Sequence, residues 1–175
     1  TSRAVRIYKT YGDEAIEKVR ADPYTLARDI HGIGFATADR IAQKIGIPHD
    51  SLLRACAGLD HVLLEATGDG HCALPLDLLK EEAGKLLGVE EQIVMAALER
   101  TLAAQQLVLE SIGGQELVFL PSIKRAEENI AQRIRQLCAA PSGYPPIELE
   151  KALAWCQEKT GKELAPSQRE ALKQA

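Results

Sequence analysis

The run Asp29-Ile30-His31-Gly32-Ile33-Gly34-Phe35 holds the residues best placed to do chemistry in this sequence. A short helical pattern beginning at Pro23 leads into it, and a second, from Ala36 to Ile45, leads out. Gly-Ile-Gly between them is too short for anything but a tight hairpin. Glycine takes positive φ readily and lets a second backbone come close. The turn therefore reverses the chain and leaves backbone N–H groups bare at the start of the second helix. Such groups carry partial positive charge and suit a phosphate. This is the pattern of a helix-hairpin-helix, which grips a nucleic-acid backbone without reading its bases.

A plain αα-hairpin with a glycine turn is the simpler alternative. The surrounding residues favour more than that. Ile30, Ile33 and Ile41 can form one small core, and Ala38 lets the two helices approach. The candidate phosphate-contacting set is Gly32, Ile33, Gly34 and Phe35 at the turn, with Thr37 and Arg40 as side-chain helpers. One departure stands out. Such hairpins often carry a lysine two positions past the second glycine, and that position is Ala36. Losing one ion pair lowers the salt dependence of binding.

No other constellation is expected to do chemistry. Cys56 and His61, five apart on one helix, point about 140° away from each other. His71 and Cys72, adjacent in an extended run, face opposite sides. No metal site is expected, because structural zinc uses close ligand pairs. Glu81-Glu82 and Glu90-Glu91 are neighbours on helices and do not face each other. No G-x-S-x-G elbow occurs, so no catalytic residue is assigned.

The elements that position the hairpin follow from periodicity and breakers. A helix ends near Tyr11, Gly12 interrupts it, and Asp13 can cap a new one. Asp22 caps a helix with Pro23 at its first position. Asp50 or Ser51 caps a helix in which Leu52, Cys56, Leu59, Leu63 and Ala66 recur at three- and four-residue steps. It ends at Gly68-Asp69-Gly70. His71–Leu74 is extended, Pro75–Leu87 and Glu90 or Glu91 to Gln106 are helical, and two strands flank Gly113-Gly114. Helix, helix and hairpin in that order is a winged-helix arrangement. Its second helix opens on Glu90 and Glu91, which repel phosphates, so a packing or protein-contact role fits its charge better than DNA reading. A helix from Pro121 runs through Ile123, Ile130, Ile134 and Leu137, and its outer face mixes Lys124, Arg125, Arg133 and Arg135 with Glu127 and Glu128. The stretch 141–146 is a linker, a helix spans Ile147 to Thr160, and another begins near Leu164. Arg6-Ile7 and Arg40-Ile41 each precede a helix-stopping glycine by five or six residues, a hint of a second, related hairpin helix at the start.

Composition agrees. Among 175 residues, 46% are hydrophobic and only 4% aromatic, which favours helix, and the net charge is −4. That excludes a uniformly basic coat. Residues 1–54 hold nine Lys/Arg and seven Asp/Glu, whereas the remainder is acidic, so phosphate contacts belong in the first third. Four scattered cysteines without a C-x-x-C pair fit reduced thiols of a cytoplasmic protein. No apolar run is long enough to span a bilayer, so no membrane partner is expected. The chain opens on Thr1 rather than Met and looks like a piece of a longer protein.

Taken together, these residues resemble the region preceding the motor in RecD-like helicases, the exodeoxyribonuclease V alpha-subunit and TraA-type family. The resemblance is carried by Tyr11-Gly12 through Asp22-Pro23-Tyr24, by Ile33-Gly34-Phe35 with Ala38-Asp39-Arg40-Ile41-Ala42, and by Gly70-His71. The tail Leu164-Ala165-Pro166-Ser167-Gln168-Arg169-Glu170-Ala171 looks like the start of the motor. On that likeness Gln168 contacts the adenine base of ATP. The family implies ATP-driven, 5′ to 3′ DNA unwinding in repair and recombination, with ATP and magnesium as cofactors of the parent. This chain contains no G-x-x-x-x-G-K-[ST] loop, so no cofactor is expected in the fragment itself.

The resulting expectation is a mainly α chain. A helix-hairpin-helix unit at 1–67 is followed by a winged-helix-like unit with one small β-hairpin at 68–140. A linker and helices at 141–175 lead towards a motor. Its partner is DNA, as a single strand or junction, bound without sequence preference. The alternative is a protein-interaction module that docks single-strand-binding protein or other recombination subunits.

Overall fold

The computed structural model describes residues 3–140, 143 and 147–174, so the expected linker at 141–146 lies outside the described residues apart from Gly143. The chain is mainly α-helical. Helices α1 (Arg3–Tyr11) and α2 (Ala15–Ala21) are joined by one 3-10 turn, Gly12–Glu14. Asp13 does not cap α2. Its carboxylate accepts from the Tyr8 hydroxyl at 3.1 Å, and the helix restarts two residues later. The Asp22-Pro23 signal acts as a turn. The Asp22 carboxylate accepts from the Tyr24 amide at 2.9 Å, and the regular helix α3 (Thr25–Asp29) begins just after. The hairpin follows, then α4 (Phe35–Lys44). Ser51 caps α5 (Leu52–Gly68) through its hydroxyl, which accepts from the Arg54 amide at 3.2 Å.

The next segment runs β1 (Leu74–Pro75), α6 (Leu76–Leu87), α7 (Glu91–Ala103), β2 (Val108–Ile112) and β3 (Gln115–Phe119). Gly113 and Gly114 both have positive φ, +61° and +83°, as a two-residue turn between twisted strands requires. The expected β-hairpin has a third strand. Leu74 and Pro75 pair antiparallel with Val118 and Leu117, giving the order β1-β3-β2. Of the extended run His71–Leu74 only Leu74 pairs, and Pro75, expected to open the helix, is the second residue of β1. Helix α8 (Pro121–Ala139) has no buried residue, and Ile130, Ile134 and Leu137 are exposed rather than turned inward. Helices α9 (Leu149–Thr160) and α10 (Pro166–Gln174) follow. Among the described residues, no helix is long and apolar enough to cross a membrane.

The chain divides into two units, Thr1–Gln132 and Arg133–Ala175. The boundary expected at residue 67 falls inside the first. There, one core joins Tyr24, Phe35 and Leu59 to Leu87, Leu107 and Val118. The join is tight. A Cβ on Gly58 of α5 would lie 2.7–2.9 Å from three side-chain carbons of Leu87 at the end of α6. A second, smaller core gathers Tyr11, Leu26, Ile30 and Ile33, with Ile7, Val19 and Ile41 packed against it.

A buried ion pair lies against the larger core. Arg54 of α5 donates to both carboxylate oxygens of Asp39 on α4, at 2.9 and 3.2 Å. Its remaining nitrogen donates to the carbonyls of His49, at 3.1 Å, and Leu87, at 2.8 Å. Asp39 also accepts from the Tyr24 hydroxyl at 2.7 Å and from Gln43. Burial pushes the Asp39 carboxyl up, but the hydrogen bonds from Arg54 and Tyr24, together with the Arg54 charge, hold it below its ordinary value. Burial first, and the Asp39 contact second, raise the Tyr24 hydroxyl, so it stays a neutral donor.

Two outcomes follow from this core. Replacing Arg54 by Met strands a buried carboxylate and should cost about 3–5 kcal/mol in urea unfolding. The folded carboxyl gives up its proton at a lower pH than the unfolded one. The pair's contribution is therefore complete above about pH 4 and lost as pH falls through the folded value. Arg54→Met should remove that acid-side dependence. Gly58→Ala should destabilise by about 1–3 kcal/mol through overpacking, and adding Leu87→Ala should recover part of that loss.

Candidate nucleic-acid interface

The hairpin is built from the inside out. Ile30 and Ile33 are buried, and the Ile33 amide donates to the Ile30 carbonyl at 3.0 Å, closing the turn around His31 and Gly32. Gly32 has φ +82°, the left-handed region that an L side chain resists. Gly34 is different. With φ −92° and ψ 174° it is extended, and it caps α4 by accepting from the amides of Thr37, at 3.0 Å, and Ala38, at 3.1 Å. The two glycines therefore do separate jobs. The first bends the chain, and the second begins the helix with nothing within 4 Å of its would-be Cβ.

Gly32, Gly34 and Ala36 are exposed. Among the described residues, no carbonyl or side chain accepts from the amides of Gly32, Gly34, Phe35 or Ala36. The amides of Gly34, Phe35 and Ala36 are the bare donors of a helix start, and Gly32 lies just ahead of them. Ile33 leaves the donor set, because its amide is already bonded inside the turn and its side chain is core. Phe35 contributes only its backbone. Its ring is buried, stacked on Tyr24 at 5.7 Å and on His61 at 5.1 Å. Thr37 is half-buried, with its amide bonded to Gly34, whereas Arg40 is exposed. Ala36, Arg40 and Lys44 succeed one another at four-residue steps on the exposed side of α4.

One neighbour escaped the sequence reading. Arg6 of α1 donates from Nη1 to the His31 carbonyl at 2.7 Å, and a Cβ on Gly32 would lie 2.8 Å from that nitrogen. The Arg-Ile repeat hint touched this residue without showing where it goes. Tyr11 reinforces the join, its hydroxyl donating to Asp29 at 2.8 Å.

Beside the hairpin opens a groove of about 670 Å³, lined by Ile33, Phe35, Ala57 and Leu64 together with Arg28, Asp60, His61 and Glu65. Burial raises the Asp60 carboxyl, which Arg28 partly offsets. Gln168, far along the chain, sits in the first turn of α10. Its side-chain carbonyl accepts from the Ala165 amide at 3.0 Å, a helix-start contact.

The same residues carry a family signal. Residues 1–73 match the family model described as the ATP-dependent RecD2 DNA helicase HHH domain. The chain carries a RecD-like helicase N-terminal region. The ATP-dependent RecD2 DNA helicase of Deinococcus radiodurans is 30% identical to it over 152 residues, which cover 80% of this chain and 21% of that relative. The chain thus spans about a fifth of the length of the curated relative it matches. The matched helix-hairpin-helix residues include α1, the hairpin and all of α5.

The two glycines of this RecD-like hairpin should respond unequally to substitution. Gly32→Ala forces a side chain into a left-handed turn against Arg6 and should cost about 1–2 kcal/mol in thermal or urea unfolding. Gly34→Ala meets no steric obstacle and should cost less than Gly32→Ala, about 0.5–1 kcal/mol from the poorer N-cap.

Proposed function

We propose that this chain holds the DNA backbone, without base preference, as a non-catalytic module of an ATP-dependent 5′ to 3′ helicase. The observation that carries the reading is the run of unbonded amides at Gly32, Gly34, Phe35 and Ala36. Phosphate oxygens are the ligand such donors suit. Arg40 and Lys44 on the exposed side of α4 add charge. Contacts of this kind position a protein on nucleic acid and carry no sequence information. The hairpin would hold a strand or junction while a motor elsewhere in the parent steps.

ATP and magnesium belong to that motor in this reading. The residues present here do not form a triphosphate site, because no G-x-x-x-x-G-K-[ST] loop occurs among the 175. Gln168 would reach adenine only in the company of such a loop.

A second reading is a docking module for protein partners such as single-strand-binding protein or recombination subunits. The groove beside the hairpin favours it, being lined mainly by apolar atoms.

Anisotropy of a labelled duplex against salt separates the two. The DNA reading expects log affinity to fall linearly with log salt, equally for duplexes of scrambled sequence. Arg40→Gln should make that slope shallower by about 0.9 on duplex DNA. Affinity that is absent, or indifferent to salt, leaves the docking reading. ATP hydrolysis by this chain should be zero.

A further inference from the structure

We propose that Arg6, from the helix before the hairpin, supplies the phosphate-neutralising cation that the hairpin itself lacks at Ala36. The inference rests on the DNA-backbone reading and names a residue of that same site.

Three observations converge on it. The guanidinium lies directly on the turn, with Nη1 2.7 Å from the His31 carbonyl. It is fitted to the bare side of Gly32, where a Cβ would come within 2.8 Å of it, so glycine at 32 serves Arg6 as well as the turn. Its hydrogen bonding is incomplete. Among the described residues, Nη2 has no acceptor, no carboxylate pairs with Arg6, and Nε is buried without a partner.

That pattern is wrong for a purely structural arginine. Buried donors are nearly always satisfied, and an exception calls for an explanation. Neighbouring arginines show the contrast: Arg28 pairs with Asp22, and Arg54 uses its nitrogens on Asp39 and two carbonyls. Arg6 instead keeps Nη2 without an acceptor among the described residues, while Nη1 rests on the turn beside Gly32. A guanidinium fork matches the spacing of two phosphate oxygens and stays charged at every accessible pH. Single anchoring at His31 also orients the fork in advance, so little side-chain freedom is lost when a phosphate arrives. The usual lysine after such a hairpin reaches the phosphate from the second helix. Here the charge comes from α1, across the turn.

The test uses the 175-residue chain, a fluorescein-labelled duplex and its isolated strand, with anisotropy read over a series of KCl concentrations. Arg6→Gln should make the log–log salt slope shallower by about 0.9 on the duplex and about 0.7 on the single strand, whatever the base sequence. Adding Ala36→Lys to that variant should restore the slope, which repair of a merely structural contact would not do. Arg6→Gln that stays folded and keeps the parental slope overturns the proposal, and so does an Ala36→Lys addition that restores nothing. A reading on the unmutated chain covers the case in which Arg6→Gln does not fold. On titration with the duplex, the Arg6 side-chain Nε–H resonance should shift while that of Arg54 stays in place. An unmoved Arg6 signal in a chain that binds overturns the assignment. If the unmutated chain binds neither probe, the DNA-backbone reading itself fails, a result distinct from binding that ignores Arg6.

Discussion

The Asp39–Arg54 pair is the constraint on which the first unit depends. Both groups are almost wholly removed from water, a position that costs several kcal/mol per ion unless every lone pair and proton finds a partner. Here they do. Tyr24, Gln43, and the carbonyls of His49 and Leu87 complete the shell. Those partners come from α3's leading turn, from α4, from the loop before α5 and from the end of α6. The pair therefore sets how four segments meet. A hydrophobic contact tolerates sliding, whereas a bidentate pair with fixed partners admits one arrangement.

That arrangement decides what the hairpin can show to solvent. α4 is pinned at Asp39, its fifth residue, and Phe35 is clamped between Tyr24 and His61. With these two points held, the first turn of α4 cannot roll its amides inward. On the opposite side, Ile30 and Ile33 anchor the turn in the smaller core that α1 shares. The hairpin thus stands between two cores, with its side chains committed inward and its main chain left outward. Recognition through main-chain donors needs this rigidity, because an amide has no rotamer with which to correct an error of position.

Much of this was legible in the residues. Gly32-Ile33-Gly34 marks the reversal, Ser51 the start of α5, Gly113-Gly114 the β-turn and Pro121 the start of α8. Each works through φ restriction or a side chain reaching its own neighbours, so a few residues of sequence suffice. Elsewhere the local signal misled. Asp13 is a good cap by type, yet Tyr8 takes its carboxylate. Ile130, Ile134 and Leu137 recur at core spacing, yet that side of α8 is exposed. Periodicity says which residues share a face and nothing about whether anything covers it.

The sequence by itself determined the mainly helical order, the position of the hairpin and the placement of positive charge in the first third, because all three depend on residue type and near-neighbour spacing. Only the tertiary structure decided that Leu74 joins the sheet, that Ile33 spends its amide inside the turn, and that Asp39 meets Arg54 and Arg6 meets His31. Apart from the local Ile33 turn, those contacts join residues 15 to 44 positions apart. Nothing in the intervening residues encodes the meeting. It arises when packing brings distant helices to one distance and one angle, and the polar groups trapped there must then satisfy each other.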